Sequence, residues 1–126
     1  MTASARWILS AAGALIALAT ITGAFGSHAL RGHLSPERLT VYETAVRYHF
    51  FHALGLLVIG LAANFLDSGP LRVSAYLIVA GIVLFSGSIY ALSFGAPKFL
   101  GPVTPLGGLC LIVGWVVFAS AVLRSR

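Results

Sequence analysis

The sequence predicts an all-α membrane protein in which four transmembrane helices form an antiparallel bundle. Its 126 residues are 59% hydrophobic and only 9% charged, whereas about a quarter of the residues of soluble proteins are charged. The charges leave four uncharged runs of 24, 19, 25 and 25 residues: Trp7–Leu30, Tyr48–Leu66, Val73–Pro97 and Phe99–Leu123. Each run has about the 20 residues that a helix needs to cross the bilayer hydrocarbon. A soluble enzyme, a nucleic-acid-binding protein and a disulfide-stapled secreted module are excluded.

The cationic side chains stand at or near the ends of these runs: Arg6, Arg31, Arg47, Arg72, Lys98, Arg124 and Arg126. Lipid headgroups and snorkelling side chains favour cations at this depth. The net charge of +5 therefore indicates the lipid bilayer as partner, and no nucleic acid. A lone cysteine, Cys110, excludes an internal disulfide.

We expect one membrane domain over residues 1–126, with spans at about 7–27, 48–66, 71–94 and 104–123. The first run is longer than the apolar region of a signal peptide, so we expect it to be retained. Gly69-Pro70 is typical of the start of the third helix and Gly95 of its end. Thr104-Pro105 predicts the N-cap and first turn of the fourth.

Residues 36–47 predict an amphipathic helix between the first two spans. Ser35 is a suitable N-cap and Pro36 a suitable first residue. Leu39, Tyr42, Val46 and His49 recur on one face at helical spacing. No helix-breaking residue separates this helix from the second span, and one helix from Pro36 to Leu66 would be about 46 Å long. Its first three turns should therefore lie on the membrane surface, bent over, or project into water.

Small residues predict where helices approach each other closely, because helix association in lipid depends on backbone contact. They mark one side of three helices: Ser10, Gly13, Ala14 and Ala17 in the first, Gly81 and Ser88 in the third, and Gly107 and Gly114 in the fourth. A homo-oligomer or a larger membrane complex is also possible for such a chain.

An antiparallel bundle brings the unusual polar residues to one membrane face. The candidate cluster comprises His28, Tyr48, His49, His52, Ser86, Ser88, Tyr90 and Thr104. Ionisable groups within a membrane are functional candidates. Three interpretations stay open: hydrogen bonds that fix helix packing, a proton or small-solute pathway, and a metal or haem site. If a metal is bound, its ligands are His28 and His52, which we expect to meet across the first two helices.

The chain has no Ser–His–Asp set, no paired carboxylates within a span and no CxxC motif, which argues against an enzyme. The leading hypothesis is a non-enzymatic accessory or small-ligand-binding module. The alternative is a histidine-based redox or proton-linked protein that binds metal, haem or quinone, or a small-solute transporter. The sequence does not identify a cofactor.

Four motifs occur in order: Gly23-Ala24-Phe25-Gly26-Ser27-His28-Ala29-Leu30, Tyr48-His49-Phe50-Phe51-His52-Ala53-Leu54, Leu84-Phe85-Ser86-Gly87-Ser88-Ile89-Tyr90 and Val103-Thr104-Pro105-Leu106-Gly107-Gly108. Over nearly the whole chain they resemble the YgdD-like small membrane proteins, a family of unknown function found in bacterial inner membranes, with a mitochondrial relative in animals. The resemblance implies four spans, and it implies family histidines at positions 28 and 52 but not at 49. The positive-inside rule does not decide the orientation, because each side of the membrane carries four cations. The resemblance favours cytoplasmic termini.

Overall fold

The chain forms four helices that are long and apolar enough to cross a membrane. In the computed structural model, which describes all 126 residues, they are α1 (Ala3–His28), α2 (Pro36–Ala62), α3 (Ser68–Ser93) and α4 (Val103–Arg124). A 3₁₀ turn, Lys98–Leu100, precedes α4, and there is no strand. The predicted all-α, four-span fold class is confirmed.

The helices pack as two hairpins side by side. α1 packs most extensively on α2 and α3 on α4, and α2 joins the hairpins through its contacts with α3. Gly26 lies against Tyr42, and Gly60 lies against Leu9 and Ile8, so α1 and α2 run antiparallel. This register places the middle of α1 opposite the middle of α2.

Capping residues explain where three helices begin. The Thr2 hydroxyl accepts the N–H of Ala5, the Ser35 hydroxyl that of Arg38, and the Asp67 carboxylate that of Gly69. Each bond satisfies one of the amides that a helix start leaves without a partner. The Ser35 cap and Pro36 at the first turn are confirmed.

α2 is one continuous helix from Pro36 to Ala62. Residues 36–47, predicted as an amphipathic helix with no break before the second span, are its first three turns. Their predicted apolar face does point inward: Tyr42 and His49 are buried, and Leu39 and Val46 are half-buried. The outer face stays exposed and polar, with Glu37, Thr40, Glu43 and Arg47.

The link between α3 and α4 begins at the predicted residue, but α4 starts earlier than predicted. Gly95 has a φ of 89°, a conformation that glycine adopts without strain, and it follows the end of α3 as expected. α4, however, begins at Val103, so Thr104 lies in its first turn and is not its N-cap. The hydroxyl of Thr104 is hydrogen-bonded to the Ser88 hydroxyl of α3.

Small residues bring α3 and α4 into close contact, as predicted. A Cβ on Gly107 would meet the backbone of Phe85, and one on Gly81 would lie 3.1 Å from the carbonyl oxygen of Gly107. The prediction for α1 is wrong, because its small residues face outward: Ser10, Gly13, Ala14 and Ala17 are all exposed. α1 packs on α2 through a different face, which carries Ala5, Ile8, Ala12 and Ala19.

The apolar core fills the half of the bundle nearest the chain termini. It consists of Ala5, Ile8, Ala12, Leu56, Ile59, Ala63, Leu71, Ala75, Ile78, Ile82 and Leu111. Beyond it, α3 changes from α-helix to a π-helical turn at Ile82–Ser86 and returns to α-helix at Gly87. Most of the buried polar side chains of α3, Ser86, Ser88 and Ser93, lie at or beyond this turn, whereas Ser74, which donates to the Gly114 carbonyl of α4 at 2.8 Å, is the buried polar side chain that α3 places in the apolar half.

Candidate functional site

Tyr90 links three helices through its hydroxyl group. The hydroxyl lies 3.0 Å from the Thr22 hydroxyl of α1 and 3.0 Å from His49 Nδ1 of α2. Thr22 also bonds to the Ala19 carbonyl, while the Tyr42 hydroxyl donates to the Thr22 carbonyl at 2.6 Å. Hydrogen bonds between these side chains satisfy polar groups that lipid cannot satisfy. Tyr90 and His49 of the predicted cluster therefore meet, at the centre of the bundle.

His49 is the most deeply buried imidazole, with 2% of its surface exposed. It is the central residue of α2, and its Nε2 has no hydrogen-bond partner. The main chain of Leu15 in α1 is close to the ring, yet Nε2 makes no hydrogen bond with it. A buried polar atom without a partner costs about 1–3 kcal/mol, so His49 is a costly residue at this position.

Two serines of α3 bond to neighbouring helices. The Ser86 hydroxyl donates to the Ala45 carbonyl of α2 at 3.0 Å. The Ser88 hydroxyl lies 2.6 Å from the Thr104 hydroxyl of α4. These three members of the predicted cluster are thus placed at helix contacts, and each bond joins α3 to a different neighbour.

His52 lies on the other side of α2, against α4. The indole Nε1–H of Trp115 donates to His52 Nδ1 at 3.0 Å. Gly55 makes this possible, because any Cβ there would meet the Trp115 ring. An indole nitrogen is only a donor, so Nδ1 must be the acceptor. A neutral His52 therefore carries its proton on Nε2.

A cleft of about 310 Å³ opens beside this pair, lined by Tyr48, His52, Phe85, Gly108, Leu111, Ile112 and Trp115; we call it the His52 cleft. The Tyr48 ring lies 5.0 Å from Phe85 and 6.1 Å, nearly parallel, from His52. Its wall is therefore aromatic, and His52 is its only imidazole. Because Ile112 is 64% exposed at its rim, the cleft opens towards the lipid.

The structure separates His28 from His52, so the prediction that they meet is wrong. Gly26 is level with Tyr42, which puts His28 about 12 residues, or about 18 Å, from the level of His52 along the bundle. His28 is exposed at the end of α1. The error arose from placing the second span at residue 48; α2 starts at Pro36, so His52 lies more than four turns beyond its start.

No group of three or more His, Cys, Asp and Glu side chains is close enough to hold a metal ion. The shared His28–His52 ligand pair that the sequence suggested does not exist. The histidines that do lie inside the bundle, His49 and His52, are bonded to Tyr90 and Trp115 instead.

Sequence reasoning missed Trp115, Thr22 and Tyr42 as members of the site. Trp115 had a detectable signal, because an indole N–H in the middle of an apolar helix needs an acceptor. Thr22 had a weaker one, since threonine in a helix usually bonds to its own backbone. Its second bond, to Tyr90, depends on the packing of α1 against α3.

Fold and site together define a small polytopic membrane protein with a polar centre. The chain belongs to the family described as "Protein of unknown function (DUF423)", which matches residues 22–108. A "UPF0382 membrane protein YwdK" of Bacillus subtilis is 43% identical over 118 residues, covering 93% of this chain and 94% of its own length.

Similar proteins occur in other bacteria. A UPF0382 membrane protein of Staphylococcus epidermidis is 43% identical over 117 residues, covering 93% of both chains. One of Staphylococcus aureus is 41% identical over 117 residues, with the same coverage. No solved structure matches the chain. The expected membrane family of unknown function is confirmed, while the likeness to YgdD and to a mitochondrial protein stays a prediction.

Proposed function

We propose that this protein is a non-enzymatic membrane module that binds a neutral, lipid-soluble molecule in the His52 cleft. The observation that supports it most directly is the hydrogen bond from Trp115 to His52. Because this bond occupies Nδ1, a neutral His52 keeps Nε2–H as a donor beside an otherwise apolar cleft. A donor in such a place selects a ligand that carries an acceptor oxygen.

The depth of the cleft restricts the ligand further. His52 is three residues beyond the centre of α2, about 4.5 Å along the helix. The ester groups of phospholipids lie at the membrane interface, far from this level. The ligand is therefore a molecule that dissolves in the hydrocarbon itself and carries its own carbonyl group.

The shape and lining of the cleft favour a planar ring. Tyr48, Phe85 and Trp115 line it, and aromatic side chains stack on flat ligands. A volume of about 310 Å³ is at the lower end of small-molecule sites, so it holds a ring and leaves an alkyl tail in the lipid. Quinones combine these properties, and the His52 cleft suits that class better than it suits haem or a metal ion.

The proposal predicts that a quinone quenches Trp115 fluorescence. The experiment uses the full chain carrying Trp7→Phe, which leaves Trp115 as the remaining tryptophan, and titrates decylubiquinone in detergent micelles. His52→Phe should weaken binding about 10-fold, the value of one hydrogen bond of about 1.4 kcal/mol. His52→Gln, which can both accept and donate, should recover most of the affinity.

Two controls accompany this titration. Decylbenzene has the same tail without a carbonyl and should bind at least about 10-fold more weakly. His28→Phe changes an exposed histidine outside the cleft and should leave binding unchanged. Equal binding of the two compounds, or full binding by a folded His52→Phe variant, would refute the proposal.

A proton-linked role has less support. The Thr22–Tyr90–His49 chain is continuous, but beyond Thr22 it meets the Ala19 and Thr22 carbonyl groups, which pass on no proton. At its other end, Nε2 of His49 has no partner. The chain is better suited to holding α1, α2 and α3 together.

We further propose that the protein lies in the bacterial inner membrane with both termini in the cytoplasm. The named relatives are bacterial membrane proteins, and an even number of spans places the termini on one side. Green fluorescent protein fused after Arg126 should fluoresce, and alkaline phosphatase fused there should be inactive. The reverse pattern would overturn the orientation.

A further inference from the structure

A second cavity lies between the end of α1 and the start of α2. It has a volume of about 410 Å³ and is lined by Gly23, Gly26, Ser27, Tyr42, Glu43, Val46 and Arg47; we call it the α1–α2 groove. It shares no residue with the His52 cleft. Two glycines of α1 let α2 approach closely beside the groove, since a Cβ on Gly26 would lie 2.6 Å from the Tyr42 ring and one on Gly23 would lie 3.4 Å from Val46.

The α1–α2 groove carries both signs of charge. Glu43 and Arg47 are one helical turn apart in α2, about 6 Å along the axis, and both are exposed. The remaining lining is glycine, serine, tyrosine and valine. A ligand with an anionic group near Arg47 and a cationic group near Glu43 would match both charges of the groove.

The level of the α1–α2 groove indicates where such a ligand comes from. α1 has 26 residues, about 39 Å of helix, against about 30 Å of hydrocarbon. Its last turn, with Gly26 and Ser27, therefore reaches the headgroup region, and Gly23 lies about one turn below it. Arg47 lies deeper in the membrane than Glu43, because α2 runs inward from Pro36.

We propose that the α1–α2 groove binds the headgroup of a zwitterionic phospholipid whose cationic group is a primary ammonium. Arg47 binds the phosphate, which lies nearer the hydrocarbon, and Glu43 binds the ammonium, which lies nearer water. A primary ammonium donates charge-assisted hydrogen bonds to a carboxylate, and a quaternary ammonium has no N–H to donate. An anionic headgroup without a cation would leave Glu43 facing negative charge.

The proposal predicts a headgroup preference of the purified, delipidated full chain. Native mass spectrometry in detergent with phosphatidylethanolamine, phosphatidylcholine or phosphatidylglycerol of identical acyl chains measures it. Phosphatidylethanolamine should bind at least about fivefold more tightly than the other two, the effect of about 1 kcal/mol. Equal binding of all three, or tightest binding of phosphatidylglycerol, would overturn the proposal.

Variants assign the two roles. Glu43→Gln should reduce the preference for phosphatidylethanolamine over phosphatidylcholine to within about twofold, whereas Arg47→Gln should weaken the binding of both. Gly23→Leu should fill the α1–α2 groove and block both. Glu37→Gln and Arg31→Gln change exposed charges outside the groove and should have no effect. Loss of preference in Glu37→Gln as large as in Glu43→Gln would show that surface charge alone is responsible.

Discussion

Replacing Gly107 by alanine should destabilise the protein by about 3 kcal/mol, the upper end of the cost of overpacking. The added Cβ would meet the backbone nitrogen of Phe85 and lie 2.8 Å from the carbonyl carbon of Leu84. Both are backbone atoms of α3, so no side-chain rotation can make room. The separation of α3 and α4 would have to increase, which also weakens the Ser88–Thr104 bond. Unfolding of the purified protein in mixed detergent micelles measures the loss.

The matched control is Gly13→Ala in α1. A Cβ at Gly13 would meet nothing within 4 Å, and alanine favours a helix by about 1 kcal/mol over glycine. This variant should unfold at the same detergent fraction as the wild type or at a slightly higher one. Equal destabilisation by the two substitutions would mean that glycine itself, and not the close contact at Gly107, is what the bundle requires.

Tyr90→Phe should destabilise the protein by about 1–2 kcal/mol. The ring would keep its packing, but Thr22 and His49 would each lose the hydroxyl partner at 3.0 Å. Because Nε2 of His49 already lacks a partner, the variant would leave the whole imidazole without hydrogen bonds at the centre of the bundle. Interhelical hydrogen bonds in membranes reach up to about 1.7 kcal/mol, which sets the expected scale.

A double-mutant cycle isolates the contribution of the Tyr90–His49 hydrogen bond. In a His49→Leu background the buried imidazole is gone, so Tyr90→Phe should cost less than it does in the wild type. Tyr76→Phe is the control, because Tyr76 is 61% exposed and stacks on Trp7. If Tyr90→Phe costs the same in both backgrounds, the bond to His49 contributes nothing and the cost arises from the lost hydrogen bond to Thr22.

The number of helices follows from the sequence, because the few charged residues separate four long apolar runs. The start of the second helix at Pro36 was also predicted, but its membrane span was placed at residue 48, after the charges of Glu43 and Arg47. These charges lie on the exposed face of α2, while Tyr42 and His49 on its other face are buried. Hydropathy read along the sequence averages the two faces of the helix. It therefore places the start of the second span about three turns after the start of α2.

The candidate site was identified in part. His49, Tyr90, Ser86, Ser88 and Thr104 do make contacts between helices. The partner of His52 was missed, because a hydrogen bond between α2 and α4 depends on which helices are neighbours. Cluster membership follows from depth, which a sequence gives approximately, whereas pairing follows from rotation about each helix axis, which it does not give.

The π-helical turn Ile82–Ser86 gives α3 one residue more than a regular helix of the same length would have. Here the amide of Gly87 bonds to the carbonyl of Ile82, five residues earlier, so the wider turn absorbs the extra residue. Deleting one residue at this turn would therefore restore regular helix and leave Tyr90 close to its present orientation towards Thr22 and His49. Making the turn α-helical without a deletion would instead rotate the second half of α3 away from them. For this family, a single-residue gap in an alignment at this turn is thus compatible with an unchanged interior, whereas the same gap elsewhere in α3 would rotate the residues beyond it by about 100°.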